Sequence, residues 1–453
     1  MTNDVVVVGG GFTGVATAAA LSARGASVLV LEAAKTTAPH FRGELIHPKG
    51  VRALDQLGLK GPLFDAGGVP VRGFAVTPDA QRAPMLLPYG EAAGPGLGID
   101  HPTMVLTLRE VVARRPGVTV RTAQRVTDFL WSGSRVVGVR GADGEEHRAG
   151  LVVVADGRQS RLRPLLGLEP QVQLLSYTVA FGVRGELPAA GHGHVFLGAP
   201  GPILAYPFGE GLVRFCVDVP LTAPKGREGI VDYLLREYVP FVPAGLREAM
   251  QAALRQTPFE ACATHAISTE KCAAPGVVLV GDSGGCAHPL TASGMTNAMN
   301  DVLTLGEVVG REGPTDGALE EYQRRRYDFV RMREMFTDAL YEVFRAHDAG
   351  SRALQSGVFN YWASSERSRR VSMDILSGEN VKPTRFVAEY ARVLGRSAVD
   401  VMKGFTRQPR VRGRTRELRS LVKTSFGRLE VAVGRTARTV VERYRRGLHR
   451  AER

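Results

Sequence analysis

The chain is poor in the residues that staple a fold or cross a membrane. It has 4 cysteines among 453 residues, Cys216, Cys262, Cys272 and Cys286, and no two of them make a C-x-x-C pair. A disulfide framework or a metal site is therefore not expected, and free thiols in a reducing cytoplasm are. No stretch approaches the roughly 18 apolar residues that a spanning helix requires. A secretory leader is not expected either, because Asp4 precedes the first apolar run and glycines interrupt it. No motif sets a serine or cysteine nucleophile beside a histidine and an acid, and no internal repeat or low-complexity segment occurs.

Acidic residues are scarce only at one end. The net charge is +13, yet residues 403–453 hold 16 Lys/Arg against 4 Asp/Glu, leaving 42 basic and 41 acidic groups in the first 402 residues. The body is neutral and the tail is basic. Within the tail Leu418, Val422, Phe426, Leu429, Val433, Val440 and Tyr444 recur at helical spacing among arginines. Such a stretch suits an anionic membrane surface, at about 1 kcal/mol per basic residue near the headgroups. A helix packed on the body with a solvated basic face is the other reading. Aromatic residues are too sparse there for a nucleic-acid platform, so no nucleic acid is expected as partner.

What the chain does have begins at Asp4. Val5 to Val8 reads as a buried parallel strand, Gly9-Gly10-Gly11-Phe12-Thr13-Gly14 follows at once, and Val15 to Ala23 reads as a helix. A second apolar run, Val28 to Leu31, ends at Glu32. This is a βαβ unit with G-x-G-x-x-G at its first turn, the arrangement that binds a dinucleotide. Gly9 makes the tight turn, Gly11 admits the pyrophosphate, and Gly14 lets helix and strand pack closely. Glu32 can accept from a ribose hydroxyl, and the helix N-terminus offers unpaired N–H groups to phosphate.

Two more buried strands end on acids. Leu151 to Ala155 leads to Asp156-Gly157, with Arg163 shortly after, and Val277 to Val280 leads to Gly281-Asp282. Alone, an Asp-Gly pair is as readily a turn as a site. At strand ends of an α/β sheet both acids are placed to hydrogen-bond a ligand, Asp282 to a polyol. Gly294 opens the next helix, whose N-terminus would favour negative charge on a reduced flavin. Between these pieces, 176–219 is β-rich and Ile230 to Leu254 reads as helical. Helices are expected over Pro48–Leu57, Thr103–Ala113, Gly294–Val309 and Asp316–Arg345.

These pieces, in this order, resemble the FAD domain of single-component flavoprotein monooxygenases, and more closely squalene epoxidases. Gly281-Asp282 with His288-Pro289-Leu290-Thr291-Ala292-Ser293-Gly294-Met295-Thr296 is similar to that family's G-D…H-P-L-T-G-G-G-M-T segment. Gly43-Glu44 with Pro48 and Leu57-Gly58-Leu59 resembles its G-E…P…L-G-L region, and Ala155-Asp156-Gly157 and Ala339-Leu340-Tyr341-Glu342 also match. The resemblance implies FAD contacts at Phe12, Thr13, Glu32, Ala33, Arg109, Val126, Asp282, Pro289 and Met295, with Arg42 offset from the family's arginine. Ala292-Ser293 replaces two glycines. Phe74 stands where eukaryotic members carry a pocket tyrosine, which counts against squalene itself as substrate. Tyr206 and Phe208 are further pocket candidates.

The implied fold class is α/β. It comprises a discontinuous Rossmann-like FAD-binding domain (1–73, 101–169, 261–345), a β-sheet substrate domain (74–100, 170–260), and a C-terminal helical region with the basic tail (346–453). The implied reaction is oxygen insertion through a flavin C4a-hydroperoxide, most simply epoxidation of an isoprenoid or other lipophilic alkene. No catalytic side chain is needed, and His288 is either an acid–base group or a shaper of the flavin loop. Electrons would come from NAD(P)H, directly or through a partner reductase, since no second dinucleotide fingerprint occurs. The rival expectations are an aromatic or polyketide hydroxylase, an isoprenoid double-bond reductase, and a prenyl-lipid carrier without chemistry. Halogenation is not expected, because the Trp-x-Trp-x-Ile-Pro signature is absent and the only tryptophans are Trp131 and Trp362. The expected location is cytoplasmic, with peripheral attachment to a membrane through 403–453.

Overall fold

The computed structural model describes residues 3–37, 43–79, 82–256 and 259–407; the expectations for Arg42 and for 408–453 lie outside them. The β-branched runs read from the sequence form one parallel sheet. Its strands lie in the order Val118–Arg121, Val28–Leu31, Asn3–Val8, Glu146–Val154 and Val277–Leu279. Chain direction across the sheet therefore reverses its order between Asn3–Val8 and Glu146–Val154, the switch point at which such sheets bind ligands. Val5–Val7 and Val152–Val154 are fully buried, as strands covered on both faces must be.

Glu146–Val154 is longer than its apolar end suggested. Its polar first half pairs antiparallel with Arg135–Gly141, which in turn pairs with Val126–Ser132. The helix Phe12–Ser22 is rich in alanine and packs between the sheet and the helix Gly294–Glu312. A Cβ on Gly306 would lie 3.2 Å from that of Ala20, so small residues set the approach of the two helices.

A seven-stranded sheet forms the second layer, ordered Glu260–Ser268, Gln171–Arg184, Leu212–Val219, Ile203–Gly209, Gly193–Phe196, Gly73–Thr77 and Met85–Pro88. A three-stranded sheet of Leu45–Ile46, Gly96–Gly98 and Val69–Val71 straddles the boundary expected at residue 73. The single helix expected over 230–254 is two, Arg227–Glu237 and Ala244–Gln256, separated by a 3-10 turn at Val239–Phe241. Pro240 and Pro243 remove the N–H groups a continuous helix would need. Both helices bury their apolar faces on one side of the second sheet.

The other side meets the long helix Asp316–Arg345 and the helices Ala349–Ala363, Glu366–Leu376 and Pro383–Arg407. Among the described residues no helix is long and apolar enough to cross a membrane. None of the four cysteines forms a disulfide, and burial pushes the thiols of Cys216 and Cys286 up to about 12, which keeps them protonated and inert.

Candidate active site

Three loops separated by more than a hundred residues meet at the switch point. A Cβ on Gly9, whose φ is +106°, would sit 2.4 Å from the Ala155 carbonyl oxygen and 3.1 Å from the Asp156 nitrogen. One on Gly14 would lie 1.8 Å from the Gly9 oxygen, so neither position accepts a side chain. Gly281, with φ +61°, presses on the Thr13 side chain, its Cβ position 2.7 Å from Oγ1. Arg163 links the second loop to the third: it is buried and its Nη1 donates to the Ser283 oxygen (2.9 Å).

Around Gly11 the geometry reverses. Nothing lies within 4 Å of a Cβ placed there, and the helix it opens has no side-chain cap and no acid in its first turn. The unpaired N–H groups and the helix dipole therefore face open space, as an anion site requires. Glu32 stands at the end of the adjacent strand with Ala33 next to it. Its Oε2 accepts from the Gly10 N–H (2.7 Å) and lies 3.3 Å from Arg109 Nη2, while Arg109 Nε donates to the Gly10 oxygen (2.6 Å). Burial lowers the basicity of Arg109 and Glu32 opposes that shift. The Gln124 N–H donates to the Glu32 carbonyl (2.8 Å), which brings Val126 to the same edge.

Asp156 accepts the Arg161 N–H at Oδ2 (3.0 Å), while its buried Oδ1 has no partner among the described residues. Burial pushes its carboxyl up, against its hydrogen bonds. An orphaned acceptor in this crevice suits a ligand hydroxyl. Asp282 lies in the 3-10 turn Gly281–Gly284. Pro289 is exposed in the turn Pro289–Thr291, and Gly294 is exposed at the start of its helix with open space around it. Met295 is buried, its Cε 3.4 Å from a Cβ built on Gly43, so the Gly43-Glu44 segment reaches the same place. The residues present therefore fit a dinucleotide cofactor.

Several groups that hold this site together were not read from the sequence. Asp301 is buried, accepts the Gly281 N–H (2.9 Å) and pairs with buried Arg326 (2.9 Å), fixing the turn before Asp282. Glu44 takes both forks of Arg214 at 2.7 Å; burial pushes its carboxyl up and Arg214 opposes this. A charge in the middle of the alternating strand Leu212–Val219 was the available signal for Arg214. His47 is fully buried. It lies 2.6 Å from the Tyr89 hydroxyl at Nδ1 and 2.8 Å from the Thr291 oxygen at Nε2. Since the carbonyl can only accept, Nε2 carries the proton and Nδ1 accepts from Tyr89.

His288 is also held from both sides: Nδ1 accepts the Leu290 N–H (3.0 Å) and Nε2 faces Asp218 Oδ1 (3.1 Å). Asp218 also accepts from Ser176 and Tyr341, and the Tyr341 ring stacks on His288 at 4.0 Å. Neither ring nitrogen of His288 is left to exchange a proton with a ligand.

Beside the Pro289–Thr291 turn is an apolar cavity of roughly 940 Å³, the open solvent at its mouth included. Phe74, Leu87, Leu290, Phe336, Phe344 and Trp362 are on its wall. Tyr206 and Phe208 are not, although they belong to the same buried apolar cluster as Phe74, Leu290 and Trp362. Their face of the strand turns toward Glu44 and Arg214: the Tyr206 hydroxyl reaches Glu44 (3.4 Å) and the Phe208 ring lies 4.4 Å beneath the Arg214 guanidinium.

A family model described as squalene epoxidase matches residues 148–410, and one described as FAD dependent oxidoreductase matches 4–61. Among solved structures, HpxO of Klebsiella pneumoniae complexed with FAD has a similar fold. It shows a TM-score of 0.71 and 24% identity, over 83% of this chain and 99% of that one. The protein is an FAD-dependent monooxygenase. The squalene epoxidase erg1 of Aspergillus fumigatus is 32% identical over 380 residues, 79% of each chain. Squalene epoxidase 3 of Arabidopsis thaliana is 29% identical over 86% of this chain and 77% of its own. The chain belongs to the squalene epoxidase family.

Proposed function

We propose that this monooxygenase adds one oxygen atom from O₂ across a double bond of an isoprenoid or other lipophilic alkene. The cavity carries the reading. Its wall is aliphatic and aromatic with few polar groups, and among the described residues no Lys, Arg or His lines it. The one carboxylate among the described residues of its wall, Glu389, is taken by the Tyr361 hydroxyl and by Arg392. A phenolate or carboxylate substrate would have to shed its hydration against that wall with no cation to receive it, which is costly. A hydrocarbon loses nothing by entering and gains the burial of its surface.

Bound FAD, reduced by NAD(P)H directly or through a reductase, supplies the activation of O₂. Gly9, Gly11, Phe12, Thr13 and Gly14 would hold its pyrophosphate, and Glu32, Ala33, Arg109 and Val126 its adenosine end. Asp156 and Asp282 would take its hydroxyl groups, and Pro289, Gly294 and Met295 would lie near its ring. The protein binds, orients and dries the reaction; Phe74 and Leu290 exclude water where the alkene enters.

The test is oxygen consumption by the FAD-loaded protein with reductant, screened over isoprenoids and phenols, with product mass measured. An isoprenoid gaining a single oxygen supports the reading. Turnover confined to phenols, or anaerobic saturation of the double bond, contradicts it.

A further inference from the structure

The cavity is bounded by two helices that the sequence does not obviously join. Asp316–Arg345 supplies Phe336 and Phe344, and Glu366–Leu376 supplies Met373, Ile375 and Leu376. Arg333 lies between them. It is 2% exposed, and its guanidinium donates to the carbonyl oxygens of Ile375 and Leu376, the second at 2.8 Å. It sits 5.6 Å from the centroid of the Phe336 ring. Both bonds are to the backbone of cavity residues, at the carbonyl end of the shorter helix, where a cation is favoured.

Stability alone does not account for this residue. The partners of Arg333 are two carbonyls rather than a carboxylate, and its buried Nε has no partner among the described residues. Burial lowers its basicity to about 10. A methionine would fill similar space without burying a charge, but would leave both carbonyls without this donor. What methionine could not do is grip two carbonyls with one planar fork.

We propose that Arg333 is a specificity-determining positioning residue that sets the width of the apolar cavity and hence the length of isoprenoid chain it accepts. The inference rests on the lipophilic-substrate reading above and assigns that selectivity to one side chain. The Arg333 fork fixes the end of Glu366–Leu376 against Asp316–Arg345, so three wall residues keep one distance from Phe336. Without the fork the shorter helix shifts and the wall loses its fit to an extended chain, while the Gly9–Gly14 turn on the first sheet keeps its place.

Displacement of an apolar fluorescent dye from the FAD-loaded full chain, by squalene and by the shorter farnesene, reads this without turnover. The wild-type ratio of the two displacement constants is expected to change at least tenfold in Arg333→Met at full flavin occupancy. Arg333→Lys, keeping a donor for one carbonyl, is expected to give an intermediate ratio. An unchanged ratio in Arg333→Met overturns the assignment and leaves the alkene reading standing. If neither hydrocarbon displaces dye from wild type, the alkene reading fails and the inference falls with it. If Arg333→Met does not fold, amide hydrogen exchange over 370–377 in Arg333→Lys decides: faster exchange is expected, and unchanged exchange overturns the assignment.

Discussion

His47 spends both ring nitrogens inside the protein, and burial holds its pKa down at about 4 from 6.5. Below pH 6.5 the unfolded chain takes up a proton that the folded chain refuses, so stability falls as pH drops from 6.5 to 4 and no further on this account. Each unit is worth about 1.36 kcal/mol, so the loss is on the order of 3 kcal/mol. His194, held down to about 4 by burial too, adds to the same limb. Glutamine can accept from Tyr89 and donate to Thr291, so His47→Gln should flatten this limb of a denaturant-midpoint series against pH. An equally steep limb in the variant would show that His47 is not its source. At the cofactor, Asp282→Ala should weaken FAD retention by roughly 1.5–3 kcal/mol, the worth of a hydrogen bond to a charged group. Flavin occupancy equal to wild type after gel filtration would count against the proposed contact.

Among the elements, the short third loop is held by two helices. Asp301 on Gly294–Glu312 and Arg326 on Asp316–Arg345 pair behind Gly281, and Arg326 also reaches the Gly281 oxygen (3.3 Å). Removing one partner of a buried pair costs about 3–5 kcal/mol, because the other is left charged and unpaired. Asp301→Ala should therefore lower the unfolding free energy by that order, and adding Arg326→Met should recover part of it. A double variant less stable than the single would contradict this. The pair was not legible in the sequence, since its members are on different helices and each looks like an ordinary polar position. The βαβ unit was legible because strand, glycines, helix and acid follow one another within Asp4 to Glu32. The break at Pro240 and Pro243 was carried by proline, but the apolar spacing continued past it and suggested a single helix.

At the scale of the molecule, the order of three strand-end motifs was enough to indicate the α/β architecture. The sheet confirms it, since Gly9, Ala155 and Thr13–Gly281 meet at one switch point. The cavity was legible only through Phe74. Much of the remaining wall comes from the C-terminal helices, whose faces can be assigned only when their packing partners are known. Beyond Arg407 the basic tail lies outside the described residues, and its proposed partner is an anionic membrane surface. Deleting 403–453 should reduce partitioning onto vesicles containing phosphatidylserine, with a shallower salt dependence. Partitioning equal to that of the full chain would reject that role.

The most direct test of the whole account is the origin of the product's oxygen. The FAD-loaded protein is given an isoprenoid alkene, a reductant and oxygen-18 gas in ordinary water, and the product is weighed by mass spectrometry. A single labelled oxygen retained in an epoxide is the expected result. Oxygen drawn from water, or a product saturated without oxygen, would contradict the account.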